Sequence, residues 1–255
     1  MKYLLLLPVM LICCCGSLAQ PQKYTVANAH SHNDYEQAMP FVAAYNAGFG
    51  SMEADIFLQD GNLYVAHNTD QLAAKKLLET YYLKPMALAI EKNGGFIYRD
   101  TSKRLQVLID IKTEAISTLD AFIKLLQQYP SLANNRSINW VISGNRPGEK
   151  SFASYPAFIL FDGVISTTYS TEALARIAMM SASFKTFSSW DGEGELPAIA
   201  FSNIQAALTQ MHLLNKPVRL WAAPDNADTW KTLMQLGVDF INTDKISELA
   251  EFLRK

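Results

Sequence analysis

Apolar runs short enough to be strands recur along almost the whole chain, most of them followed by a helix-patterned segment, and this limits the fold to a few architectures. Tyr24–Ala29 opens the series. In Gly50–Ala66 a strand, the tight turn Asp60-Gly61 and a return strand Leu63–Ala66 deliver His67. Leu105–Ile111, Ile138–Ile142, Ala157–Phe161, Phe184–Phe187, Pro217–Trp221 and Val238–Ile241 follow. Helices are expected over Met39–Ala47, Leu83–Glu91, Thr171–Met180, Asp228–Leu236 and Ile246–Leu253. Two more are marked by Ile116, Leu119, Phe122, Ile123 and Leu126, and by Ile204, Ala207, Leu208, Met211 and Leu214, which recur at helical spacing. Eight such units predict an α/β fold, a parallel sheet closed into a single (β/α)₈ (TIM) barrel. An open doubly wound sheet would carry a Gly-rich phosphate turn after its first strand, where this chain has two histidines.

The remaining composition narrows the class. Residues 1–19 read as a secretory signal, with Lys2, an apolar core from Tyr3 to Ile12 and the small-residue site Ser17-Leu18-Ala19 before Gln20. The expected location is therefore periplasmic or secreted. Cys13, Cys14 and Cys15 all lie in this segment, so a lipid anchor on one of them is the alternative to cleavage. After cleavage no cysteine remains, and thiol or disulfide chemistry is excluded. No composition break divides 20–255, which reads as one domain. The net charge of −2 gives no support for nucleic-acid binding. A monomer with at most peripheral membrane contact is expected.

In a barrel of this kind the site lies at the carboxyl ends of the strands, and the titratable residues cluster there. His30 and His32 follow strand one. Glu53 and Asp55, two residues apart, share one face of strand two. Asp110 and Lys112 close strand three, and Asn33, Ser143, Asn145, Arg146 and Trp221 at the same ends are candidates for substrate contact. Paired carboxylates on a hydrophobic strand are costly unless a cation lies between them. Glu53, Asp55 and Asp110 suit one hard divalent ion, Mg²⁺ or Ca²⁺. His30, His32 and His67 supply candidates for proton transfer, and Lys112 a cationic contact to phosphate. This is the equipment of metal-assisted phosphodiester cleavage. Bland readings exist: Asp110 as a helix-capping acid, Asp244 before Lys245 as an N-cap, Trp221 as packing and His212 as a structural residue.

The motifs His30-Ser-His-Asn-Asp-Tyr35, Ser51-Met-Glu-Ala-Asp-Ile56 with Val65-Ala-His67, and Leu108-Ile-Asp-Ile-Lys-Thr113 carry a resemblance. So do Trp190-Asp-Gly-Glu-Gly194, Val218–Asp225 and Gly237–Asp244. In that order they resemble the PLC-like phosphodiesterase superfamily: glycerophosphodiester phosphodiesterases, phosphatidylinositol-specific phospholipases C and spider sphingomyelinase D enzymes. They are most similar to the branch containing the fungal "altered inheritance of mitochondria" proteins. The resemblance implies a small-molecule or lipid phosphodiester as substrate and one divalent ion held by Glu53, Asp55 and Asp110. It also implies His67 as second catalytic histidine and Lys112 as the active-site lysine, with His30, ahead of His32, as the first. Two departures separate this chain from the glycerophosphodiesterases: His-Ser-His replaces their His-Arg-Gly, and the third ligand is Asp where they have Glu. Two alternatives stay open. One is an amidohydrolase or histidinol-phosphatase-like enzyme, which also opens with His-x-His. The other is a non-catalytic binder of a phosphorylated lipid or glycan.

Overall fold

Eight strands lie side by side in parallel and curl until the last meets the first. The computed structural model describes residues 21 and 23–255; the proposed signal and its three cysteines lie outside them. The strands are β1 Ala29–Ser31, β2 Ser51–Gln59, β3 Asn62–Val65, β4 Leu105–Ile111, β5 Ile138–Gly144, β6 Ile159–Val164, β7 Ile177–Ser183, β8 Val218–Trp221 and β9 Ile241–Thr243. Their spatial order is β8-β7-β6-β5-β4-β2-β1-β9, with β3 added antiparallel to the far end of β2. The ring closes thinly. Between β8 and β9 there is one parallel bridge, Arg219 to Phe240, and the amides of Asp239 and Phe240 both donate to the Val218 carbonyl. The predicted barrel is the observed one.

Around it run α1 Val42–Ala47, α2 Lys84–Lys92, α3 Ala115–Leu126, α4 Pro130–Ala133, α5 Thr171–Leu174, α6 Ala198–Leu213, α7 Ala227–Leu236 and α8 Ile246–Arg254. Their ends follow local chemistry. Glu114 accepts the Ile116 and Ser117 amides to start α3, Asn226 accepts the Thr229 amide to start α7, and Gly237 ends α7 in the left-handed region. Strand alternation sorts the core into two parts. On β4, Leu105, Val107, Ile109 and Ile111 face the helices and join the large outer core. Leu108 faces inward and packs with Val141 and Met179 in a small plug inside the barrel. At roughly 1.5–3 kcal/mol per buried large apolar side chain, the outer layer stabilises the fold and the plug only floors the lumen. Above that floor the lumen is polar.

Several expected boundaries move. In place of a strand over Tyr24–Ala29, Val26–Asn28 forms a 3₁₀ turn whose ends are tied by reciprocal bonds between Thr25 and Asn28. The strand therefore contains His30. The helix expected over Thr171–Met180 stops at Leu174, and Ile177–Ser183 is β7; Phe184–Thr186, expected as a strand, is a 3₁₀ turn. The cause is a register shift: Phe161 pairs with Ile177, but Asp162 pairs with Met179, leaving Ala178 as an extra residue. Such a bulge breaks the two-residue alternation, and Ala and Met carry good helix propensity. β9 likewise starts at Ile241, because Asp239 turns its carboxylate to His212 and the Val218 amide. β6 reaches Val164, so Asp162 and Gly163 belong to the strand. The first residues of Met39–Ala47 form a turn before α1, and a π-helical turn, Glu79–Leu83, precedes α2.

Candidate active site

The longest inner strand, β2, sends Glu53 and Asp55 into the lumen, and β4 sets Asp110 directly beside Asp55 in register. Oxygens of Glu53, Asp55 and Asp110 all lie within 4.8 Å of one another. Among the described residues this is the one such group with metal-ligating potential. Lys112, at the end of β4, places Nζ 2.9 Å from Asp55 Oδ2 and 2.9 Å from Asp110 Oδ1. Asp55 Oδ1 is buried and has no hydrogen-bond partner. An orphaned carboxylate oxygen in the lumen is expensive, and a hard cation would account for it: oxygen-only ligands, two carboxylates buried and one largely so, suit Mg²⁺ and Ca²⁺. The donor set fits.

The cluster is electrostatically divided. Burial is the largest influence on Glu53 and pushes its carboxyl up, but Arg219 and His30 outweigh it and hold Glu53 well below the usual carboxylate range. Asp55 goes the other way, raised to about 6 by burial and the Glu53 charge against the opposing pull of Lys112. Arg219 reaches across from β8, with Nη1 2.7 Å from Glu53 Oε2 and Nη2 3.9 Å from Asp162 Oδ2. Asp162 accepts from Ser181 and, more distantly, from Ser143. Burial leaves it raised to about 6 despite Arg219.

The structure separates the two histidines of the first motif. His30 is fully buried. Its Nδ1 lies 2.7 Å from Ser51 Oγ and its Nε2 3.1 Å from Glu53 Oε2, with Arg219 Nη1 at 2.9 Å. Burial and the neighbouring guanidinium lower its pKa to about 4, so the ring is neutral. His32 lines the cavity above the cluster, with Nδ1 2.9 Å from Asp244 Oδ1. Burial lowers its pKa, yet the Asp244 bond and the Glu53 charge raise it above the ordinary value. Asp244, readable as an N-cap, makes no cap; α8 begins after Lys245 without a side-chain cap. His67 stands on the other flank, half exposed, with Nδ1 3.1 Å from the Tyr35 hydroxyl and 3.5 Å from Asp55 Oδ2. The same hydroxyl donates to Asp55 Oδ2 at 2.8 Å.

A cavity of about 920 Å³ opens from Glu53, Asp110 and Lys112 toward β6, β7 and β8. Ser143, Arg146 and Trp221 line it. Arg146 makes no ion pair among the described residues. Asn145 turns away and donates to the Lys112 and Thr113 carbonyls, bracing the loop after β4. Asn33 Oδ1 lies 2.8 Å from the Tyr35 hydroxyl, and Asn33 Nδ2 approaches Asp244 Oδ1 at 3.5 Å. Gly144 has φ +67, and a Cβ there would fall on Asp110 Oδ1 and the Ile111 carbonyl, so glycine is required beside the cluster. His212 lies elsewhere, bonded to Asp239 behind the barrel wall. Arg219, Asp162 and Tyr35 were not singled out from sequence. The readable signal for Arg219 is a charge between Val218 and Leu220 in a strand whose neighbours are apolar.

Comparison with known proteins agrees with this geometry. Residues 22–143 match the AIM6-like phosphodiesterase domain, and residues 217–246 match the glycerophosphoryl diester phosphodiesterase family. The "altered inheritance of mitochondria protein 6 homolog" of Arthroderma benhamiae is 24% identical, over 86% of this chain and 81% of that protein. The Kluyveromyces lactis "altered inheritance of mitochondria protein 6" is 25% identical, over 89% and 72%. Among solved structures, a glycerophosphodiester phosphodiesterase from Parabacteroides distasonis superposes with TM-score 0.55 at 12% identity, covering 92% of this chain and 98% of that one. A phosphodiesterase from Oleispira antarctica, solved with its product sn-glycerol-3-phosphate, gives 0.52 at 15% identity, over 89% and 96%. The structural likenesses establish the barrel, and the sequence matches fall on the strands that carry Glu53, Asp55, Asp110 and Arg219. Together the sequence matches and the barrel support the PLC-like phosphodiesterase superfamily and, within it, the AIM6-like branch.

Proposed function

We propose that the protein is an exported phosphodiesterase that uses one divalent cation, Mg²⁺ or Ca²⁺, to hydrolyse a glycerophosphodiester or the headgroup bond of a phospholipid. The observation that carries this reading is the group of three lumen carboxylates with an unpartnered Asp55 oxygen. Export is supported by the amino-terminal composition alone.

Glu53, Asp55 and Asp110 would hold the ion, whose chemistry is to neutralise a phosphate oxygen as charge builds there. Lys112 and Arg146 both line the cavity and would present cationic groups to the phosphate. His32 and His67 flank the cluster and serve as the acid–base pair. Asp244 holds Nδ1 of His32 and raises the basicity of the ring; the Tyr35 hydroxyl occupies Nδ1 of His67 and leaves Nε2 for proton transfer. One takes the proton from the attacking oxygen, and the other gives a proton to the leaving alkoxide. His30, engaged at both nitrogens, holds Glu53 in place.

The amidohydrolase alternative asks for imidazole ligands, whereas the group here is all carboxylate. The test is hydrolysis of bis-p-nitrophenyl phosphate, glycerophosphocholine and glycerophosphoinositol with Mg²⁺, with Ca²⁺ and with EDTA. Turnover that EDTA abolishes and one cation restores is expected. No turnover on any of the three, with the ion shown by calorimetry to be bound, would remove glycerophosphodiesters as the substrate; no turnover and no bound ion would leave a binding protein.

A further inference from the structure

At the amino ends of the strands, away from the cavity, cations gather without partners. Arg104 directly precedes β4 and Arg136 lies just before β5, and Arg104 Nη1 donates to the Arg136 carbonyl. The stretch from the end of α2 to β4, which carries Lys92, Arg99 and Lys103, is tied to the same place. Asn135 Nδ2 donates to the Gly95 carbonyl and the Ile97 amide to Ser137 Oγ, each at 2.9 Å. Arg254 at the end of α8 extends the patch, since its Nη2 donates to the Ala47 carbonyl and Lys103 Nζ lies beside the neighbouring Gly48. Lys103 is half-buried and the other five are exposed. None of the six forms an ion pair among the described residues. The acids here are fewer: Asp100 accepts the Ser102 amide and hydroxyl, Glu251 pairs with Lys255, and Glu91 is exposed. A helix dipole accounts for Lys92 and Arg254 at helix carboxyl termini, but not for the four cations on loops. Phe96, in the middle of the basic stretch, stays 38% exposed. The loops at the cavity end carry exposed Glu36, Asp70, Glu149, Asp191, Glu193 and Glu195 instead, so a nearly neutral chain is polarised along the barrel axis.

We propose that the basic end docks on an anionic phospholipid surface, with Phe96 entering the headgroup layer and the cavity turned away toward solution. Unpaired cations around an exposed aromatic ring are the make-up of an interfacial anchor. Each basic residue held near such a surface strengthens binding about fivefold, and the acids at the far end are repelled by it, which sets the orientation. The docking surface lies outside the candidate active site and does not rest on the phosphodiesterase reading.

The test is sedimentation of the full chain with vesicles of phosphatidylglycerol and phosphatidylcholine, against phosphatidylcholine alone, in EDTA. The amino-terminal apolar segment is common to every variant, so comparison between variants is free of it. Binding to the anionic vesicles should exceed binding to the neutral ones at least about tenfold and fall with added salt. Arg99→Glu with Arg136→Glu, both exposed and checked for folding by circular dichroism, should weaken anionic binding about tenfold or more. Lys150→Glu with Lys185→Glu makes the same change of charge at exposed positions of the cavity end and should alter binding less than about twofold. Phe96→Ser should weaken it about three- to tenfold and leave the salt dependence in place. Equal binding to both kinds of vesicle would overturn the proposal. Equal losses from the two double variants would overturn it too, because only net charge would then be sensed. Tighter binding to duplex DNA than to anionic vesicles would assign the face to a linear polyanion and overturn it as well.

Discussion

The first arc of the barrel, β1, β2 and β4, and the later arc, β5 to β8, are built from the same alternating strands and face the same lumen, yet present different chemistry. The first arc lines the lumen with His30, Glu53, Asp55 and Asp110, and its loops add His32, His67 and Lys112. The later arc offers hydroxyls, small residues and an apolar wall, and its buried charges Asp162 and Arg219 are held in hydrogen bonds. A barrel can therefore divide labour by sector, with reacting groups in one and shape in the other. Arg219 is the tie between sectors, since its bond to Glu53 crosses the lumen.

Substitutions should respect that division. His32→Ala and His67→Ala in the first arc should each lower kcat on a generic phosphodiester by about 10²–10⁴-fold with folding intact; a loss of that size from Trp221→Ala in the later arc would break the comparison. Arg219→Met should leave Glu53 buried without its cation and cost about 3–5 kcal/mol of stability in urea unfolding. Stability near that of the native protein would show that Arg219 is no tie.

Asp162 gives a pH signature. Its folded pKa, about 6, is raised above the ordinary 3.8 by burial, so its contribution to stability is fully present below about pH 3.8 and is lost as pH rises through about 6. Asp162→Asn keeps hydrogen-bonding capacity but cannot titrate. Its unfolding free energy relative to the native protein should improve by roughly 2–3 kcal/mol between pH 4 and pH 7, measured by urea unfolding in EDTA. A difference that does not vary with pH would mean Arg219 already keeps Asp162 ionised. The smallest effect belongs to Asn145→Ala. It removes a loop brace, and about 1 kcal/mol or less of stability should go with it. A marked rise in KM would return Asn145 to the substrate.

The barrel and its acid cluster were readable because they follow strict alternation. Leu105–Ile111 has its predicted bounds, and Glu53, Asp55 and Asp110 fall on inward positions of adjacent strands. What escaped the sequence depends on neighbours far along the chain. Arg219 meets Glu53 across 166 residues, and no local pattern carries that. β7 was hidden by the extra residue Ala178, which spoils its period. Two histidines on one short motif look equivalent as letters. Only the fold buries one and turns the other to a cavity.

The thin closure between β8 and β9 bears on how this protein could fail. If the single bridge there lets go, the ring becomes an open sheet with two free edges, the situation in which strands recruit other chains. Those edges are Val218–Trp221 and Ile241–Thr243, four and three residues long. Edges so short give an incoming strand little to pair with, so a barrel that opens at this seam is poorly equipped to start an aggregate and well placed to close again.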